Sequence, residues 1–133
     1  MEKSFYTGKG IGVCILDTGI YEHIDFTGRI WAFYDFLAFK RRPYDDNGHG
    51  THVAGLVAGD GTASMGKYRG AAPGCGIIAL KVLDRYGTGS QDDVLRAPRW
   101  IREYRQQYRI RVVNISVGTT SREGHEQLIE LWR

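Results

Sequence analysis

Two short runs of this chain are apolar at nearly every position, residues 10–16 (Gly-Ile-Gly-Val-Cys-Ile-Leu) and 76–83 (Gly-Ile-Ile-Ala-Leu-Lys-Val-Leu), and a third, 111–116 (Arg-Val-Val-Asn-Ile-Ser), is apolar at Val112, Val113 and Ile115 and also suits a buried strand. Side chains of a strand alternate between its two faces, so a continuous apolar run presents an oily surface on both sides. Both sides then need cover, and the architecture that supplies it is a parallel sheet with helices packed on each face. The intervening segments fit that demand. Residues 49–59 are small and apolar and suit a tightly packed helix. Residues 90–108 read as a second helix: Ser90-x-x-Asp93 resembles a capping box, and Val94, Ala97, Pro98, Ile101 and Tyr108 fall on one face. Residues 29–36 suit a further strand. Segments 40–48 and 60–74 read as loops, and 86–89 as a turn-like or extended stretch. Thr120-x-x-Glu123 is expected to cap a last helix carrying Leu128, Ile129, Leu131 and Trp132. Pro98 breaks the pattern. Inside a helix it removes one N–H bond and meets the carbonyl of Val94, costing about 3 kcal/mol or forcing a kink.

The fold class is therefore α/β. A length of 133 residues allows one domain or part of one. With 42% apolar and 25% charged residues the chain is globular, not disordered. The net charge of +3 comes largely from Lys40, Arg41, Arg42 and the arginines between Arg96 and Arg111. That pattern reads as a solvated loop and helix face, so no nucleic-acid partner is expected. No apolar stretch approaches the roughly 20 residues of a membrane span. Residues 1–5 lack a signal-peptide layout, and the two cysteines are Cys14 and Cys75. Both point to a reducing, cytoplasmic setting, with secretion left open as the alternative.

In open α/β sheets, sites form at the carboxyl ends of strands, where Asp17 follows the first run. A carboxylate there is partly desolvated and needs donors, which the Thr18 and Gly19 N–H groups can supply. From this motif alone, Asp17 either tightens a turn or takes part in chemistry. His49 lies between Gly48 and Gly50, so neighbours can approach its ring closely. A helix beginning at His49 would hold the ring rigidly. An imidazole fixed by a buried carboxylate keeps one tautomer and can take a proton from a hydroxyl. His52, one helical turn on, is expected to face inward and pack. Other readings fit less well. His49 and His52 with Asp45 or Asp46 lack a third evident metal ligand and the glutamate of a metalloprotease helix. The stretch 61–67 nearly matches a phosphate loop, but Tyr68 stands where Ser or Thr would bind magnesium. Gly8, Gly10 and Gly12 precede their strand, whereas a dinucleotide fingerprint follows it.

Five pieces occur in a telling order: Asp17-Thr-Gly19, His49-Gly-Thr-His-Val-Ala-Gly55, Gly70-Ala-Ala-Pro73, Ala79-Leu-Lys-Val-Leu83 and Asn114-Ile-Ser-Val-Gly118. Together they resemble the subtilisin-like serine proteases, most closely the bacterial intracellular type. The resemblance implies a subtilisin-like parallel sheet flanked by helices on both faces. It implies Asp17 as the triad aspartate and His49 as its base. It implies Gly87, Thr88 and Gly89 as one substrate-binding edge and Ser116, Val117 and Gly118 as the opposite one. Between them a peptide or protein substrate would lie extended as an added strand. No cofactor is required; Asp25 matches a calcium ligand of secreted relatives, although loop 60–69 here is longer. The serines present are Ser4, Ser64, Ser90, Ser116 and Ser121, none in a Gly-x-Ser-x-Ala setting. The family's Ala-Gly-Asn oxyanion segment is also absent. Residues 1–133 are therefore expected to be the N-terminal part of one peptidase domain, cut before the serine half and inactive alone. The alternative is a non-catalytic remnant that binds an extended peptide or a partner strand.

Overall fold

In the computed structural model, which describes residues 6–118 together with Glu126 and Glu130, the apolar runs lie side by side. Strands β1 (Gly12–Asp17), β2 (Ile30–Asp35), β3 (Gly76–Lys81) and β4 (Ile110–Ile115) form a parallel sheet in the order β2-β3-β1-β4. β1 and β3 are buried along their whole length and pair in register, Val13 beside Ile77 and Cys14 beside Ile78. Their alternation sorts the core into two layers. Val13, Ile15, Ile77 and Ala79 meet Ala54 and Ala58 of helix α1 (His49–Ala58). Cys14, Leu16, Ile78 and Leu80 meet Val94, Ala97 and Ile101 of helix α2 (Gln91–Tyr104) on the other face. Each fully buried Val, Leu or Ile in these layers contributes about 1.5–3 kcal/mol relative to exposure. The α/β sheet with a helix on each face is the expected one. Among the described residues no helix is long and apolar enough to cross a membrane.

The boundaries differ in instructive places. β1 starts at Gly12 because Gly8 and Gly10 take positive φ (80° and 82°) in a turn closed by the Ile11 N–H on the Gly8 carbonyl. β3 ends at Lys81. Val82 and Leu83 remain buried, but both donate their N–H groups to the Asp17 carbonyl, at 3.1 and 3.2 Å. The chain thereby crosses over the end of β1. The run 111–116 is not a buried strand as expected. β4 lies at an edge of the described sheet, and Val112 is 52% exposed.

α2 starts where the capping box places it, with the Ser90 hydroxyl accepting the Asp93 N–H at 3.1 Å. Pro98 does not end the helix. Its ring is fully buried, and the helix continues to Tyr104. It stops short of Tyr108, in a turn where Arg109 takes φ 51° and the Ile110 N–H reaches the Arg105 carbonyl. Of the expected last helix, Glu126 and Glu130 have helical backbone, and the rest lies outside the described residues.

Candidate active site

Asp17 ends β1 wholly inside the protein, 1% exposed. Its Oδ1 accepts the Thr18 N–H at 2.7 Å. The His49 Nδ1 lies 2.8 Å from Oδ1 and 3.0 Å from Oδ2. A carboxylate only accepts, so Nδ1 carries a proton, and in the neutral imidazole Nε2 is the nitrogen with the lone pair. The ring is far from buried, with 56% of the His49 side chain exposed. One nitrogen is thus held from below by a desolvated carboxylate while much of the ring meets solvent.

The local sequence explains how α1 begins so close to the end of β1. Gly48 caps the helix in a left-handed conformation, φ 103°. The Gly50 N–H donates to the Thr18 hydroxyl at 2.9 Å. A Cβ at Gly50 would sit 2.3 Å from the Gly19 carbonyl oxygen, and one at Gly19 would sit 2.1 Å from that of Tyr44. Only hydrogens fit at these two positions.

Asp45 knots the loop together. Its carboxylate accepts the N–H groups of Asn47, Gly48 and Thr51 and the hydroxyls of Thr18 and Thr51. Burial pushes its pKa up, but the hydrogen bonds from Gly48, Thr51 and Thr18 outweigh that and bring it to about 2. Because the folded value lies below the unfolded one of about 3.9, the stabilisation is complete above the unfolded value. It is lost as pH falls through about 2. Asp45→Asn is expected to flatten the acid limb of a stability-versus-pH curve between roughly pH 4 and 2. Denaturant melts across that window check it; an unchanged slope would refute the assignment.

Asn47 extends the site sideways. Its Oδ1 accepts the His49 N–H at 3.0 Å, and its Nδ2 donates to the Arg85 carbonyl at 2.9 Å. Arg85 opens the segment containing Gly87, Thr88 and Gly89. That segment is a closed turn rather than an extended strand. The Asp84 carboxylate accepts the N–H groups of Tyr86 and Thr88, the Asp84 N–H donates to the Thr88 carbonyl, and Gly87 takes φ 77°. On the other side, the Ser116 N–H reaches the Leu16 carbonyl at 3.3 Å, and its hydroxyl accepts from the Asn114 amide. Val117 packs partly against the α2-side core, and Gly118 is exposed. Because β3 and β4 flank β1, the two segments leave the sheet on either side of Asp17.

Lys81 is the residue the sequence reading passed over. It is 1% exposed, and its Nζ donates to the Thr18 carbonyl at 2.6 Å, the Leu83 carbonyl at 2.8 Å and Asp46 Oδ1 at 2.8 Å. The available signal was a lone lysine inside an otherwise apolar strand. Beside it, the Tyr44 hydroxyl donates to Asp35 Oδ2 at 2.6 Å. Burial and the Asp35 carboxylate push that phenol well up, and the Tyr44, Ala38, Leu37 and Lys40 donors hold Asp35 below its usual range despite burial.

His52 does not pack inward. The inner stripe of α1 is Gly50, Ala54 and Ala58. His52 follows Gly50 by two residues, about 200° around the helix. It is exposed and lines an outer groove of about 680 Å³ with Tyr21, Phe26, Leu56 and Tyr68. Among the described residues no three His, Cys, Asp or Glu side chains converge as a metal site needs.

Asp25, the candidate calcium ligand, is engaged by protein groups. Its Oδ1 is taken by the Ala63 N–H at 2.7 Å. The Arg29 guanidinium already donates to the carbonyls of Asp25 and Cys75 and lies 3.9 Å from the Asp60 carboxylate.

Known proteins share this arrangement of sequence and fold. Serine protease AprX of Bacillus subtilis is 45% identical over 125 residues, 91% of this chain and 28% of that protein. A thermostable alkaline protease of Halalkalibacterium halodurans is 40% identical over 114 residues, 86% of this chain and 29% of its own length. The chain thus spans less than a third of these relatives. The crystal structure of a cold-adapted subtilisin-like serine proteinase superposes with a TM-score of 0.77 at 28% identity, covering 97% of this chain and 45% of that one. Sphericase gives 0.74 at 28% identity, covering 98% and 43%. The subtilase family pattern matches residues 8–130, and with these relatives it shows that the chain belongs to the subtilases, a family of serine peptidases.

Proposed function

We propose that this chain carries the aspartate–histidine half of a serine endopeptidase centre and forms the N-terminal part of a peptidase domain. The observation that carries the reading is the bond from the His49 Nδ1 to the buried Asp17 carboxylate. Asp17 holds the ring in one tautomer and stabilises the imidazolium that forms. His49 takes the proton of a serine hydroxyl on Nε2 as that oxygen attacks a peptide carbonyl, then returns it to the leaving amine. An acyl-enzyme forms and water hydrolyses it. The substrate lies extended between the segments containing Gly87, Thr88 and Gly89 and Ser116, Val117 and Gly118, bound by main-chain hydrogen bonds.

The 133 residues hold no serine in a Gly-x-Ser-x-Ala setting, so the nucleophile has to come from outside them. The chain by itself is expected to show no turnover of a fluorogenic peptide. Enzyme-like cleavage by the pure chain, abolished by His49→Ala, would overturn that part of the proposal.

A further inference from the structure

Asp17, Lys81 and Asp35 are the buried charged side chains among the described residues. They occupy one rung of three adjacent strands, since Lys81 pairs with Asp17 across β1–β3 and with Asp35 across β2–β3. A buried ammonium is tolerated only when its protons all find acceptors. Lys81 uses its three on three different pieces of chain. One is the carbonyl of Thr18, in the turn after β1. The second is the carbonyl of Leu83, where β3 leads toward the turn at 84–88. The third is the Asp46 carboxylate, in the loop that ends at His49. The Tyr44 ring lies 5.1 Å from the same ammonium and closes it off.

None of these bonds touches Asp17 or His49, yet Thr18 follows Asp17 directly, Asp46 comes three residues before His49, and Leu83 donates its N–H to the Asp17 carbonyl. Thr18 gives its N–H to Asp17 Oδ1 and accepts the Gly50 N–H on its hydroxyl. The Asp46 end of the loop leads through Asn47 to the His49 N–H. We propose that Lys81 is a positioning residue for the Asp17–His49 pair. Its ammonium pins the Thr18 turn and the 44–48 loop to one point, and so sets the separation of carboxylate and imidazole. This rests on the reading of that pair given above. Loss of the charge leaves the apolar layers in place, and the Thr18 hydroxyl on Asp45 and the Ile20 N–H on the Tyr44 carbonyl still join the two segments; what is lost is the common anchor of the Thr18 carbonyl, the Leu83 carbonyl and Asp46.

The proton on His49 Nδ1 is a direct probe. In a short bond to a carboxylate it is expected to appear as a low-field resonance in the proton spectrum of the 133-residue chain, and to vanish in His49→Gln. In Lys81→Met, folded by circular dichroism, this resonance is expected to be lost or shifted upfield. Ile101→Val, a core change away from the ammonium, should leave it in place, which separates positioning from general loosening. If Lys81→Met does not fold, Asp46→Asn serves, because it removes one exposed partner and keeps the other two; an upfield shift is expected there as well. An unmoved resonance in the folded lysine variant, or in Asp46→Asn when the lysine variant is unfolded, overturns the role of Lys81 alone. Absence of the resonance in the unaltered chain overturns the Asp17–His49 reading itself, and this proposal with it.

Discussion

A chimera in which residues 8–130 of this chain replace the matching segment of serine protease AprX is expected to cleave a fluorogenic peptide. In that enzyme His49→Ala should lower kcat by about 2 × 10⁶-fold and Asp17→Asn by about 3 × 10⁴-fold, magnitudes taken from subtilisin itself. The inequality follows from the roles. Without the imidazole no group accepts the hydroxyl proton, whereas without the carboxylate charge the imidazole is still there but its tautomer and cation lose support. The doubly bonded Nδ1 contact, at 2.8 and 3.0 Å, gives the ring little freedom to find another partner. The double variant should be no worse than His49→Ala, because the two act as one unit. Steady-state kinetics on the four proteins decide the matter. A His49→Ala chimera within tenfold of its parent would remove His49 from the chemistry.

Gly19→Ala is expected to destabilise the chain by about 3 kcal/mol or more. Two terms combine. A non-glycine residue at strongly positive φ costs about 1–2 kcal/mol. A methyl forced on a packed neighbour costs a further 1–3 kcal/mol or so. Here the neighbour is the Tyr44 carbonyl oxygen, 2.1 Å from the Cβ position, and φ is 123°. That carbonyl cannot swing aside, because it accepts the Ile20 N–H at 3.0 Å. Gly10→Ala is the natural control. It also has positive φ, 82°, but nothing lies within 4 Å of its Cβ, so only the backbone term of about 1 kcal/mol should appear. Urea melts of both variants test the account, and equal losses would show that the collision at Tyr44 is relieved at no cost.

The parts of this fold that were legible in the sequence are those where one residue property decides the outcome. β1 and β3 are apolar on both faces, and the sheet covers both. The glycines around His49 announced a crowded helix start, and the pairing with Asp17 followed. The misreadings occur where a decision depends on a partner far along the chain. Asp45 sits in a run of charges that reads as solvated loop, yet it binds the Thr18 hydroxyl 27 residues away. Lys81 is hidden in an apolar run because its partners lie on other strands and loops. His52 was placed inward because small residues mark a helix face poorly: the true inner stripe of Gly50, Ala54 and Ala58 has little hydrophobic contrast with its surroundings. β4 has the composition of a central strand but lies at an edge of the described sheet.

The Asn47 amide links two things usually discussed apart. One end of it fixes the first N–H of the helix that carries the base, and the other fixes the turn that would receive a substrate strand. In the proposed enzyme that turn is therefore a lever as well as a rail. A peptide settled against it would bear on a turn joined, through one planar amide, to the backbone N–H of the residue assigned the proton transfer. Contacts made several residues from the scissile bond then have a short mechanical route to the imidazole.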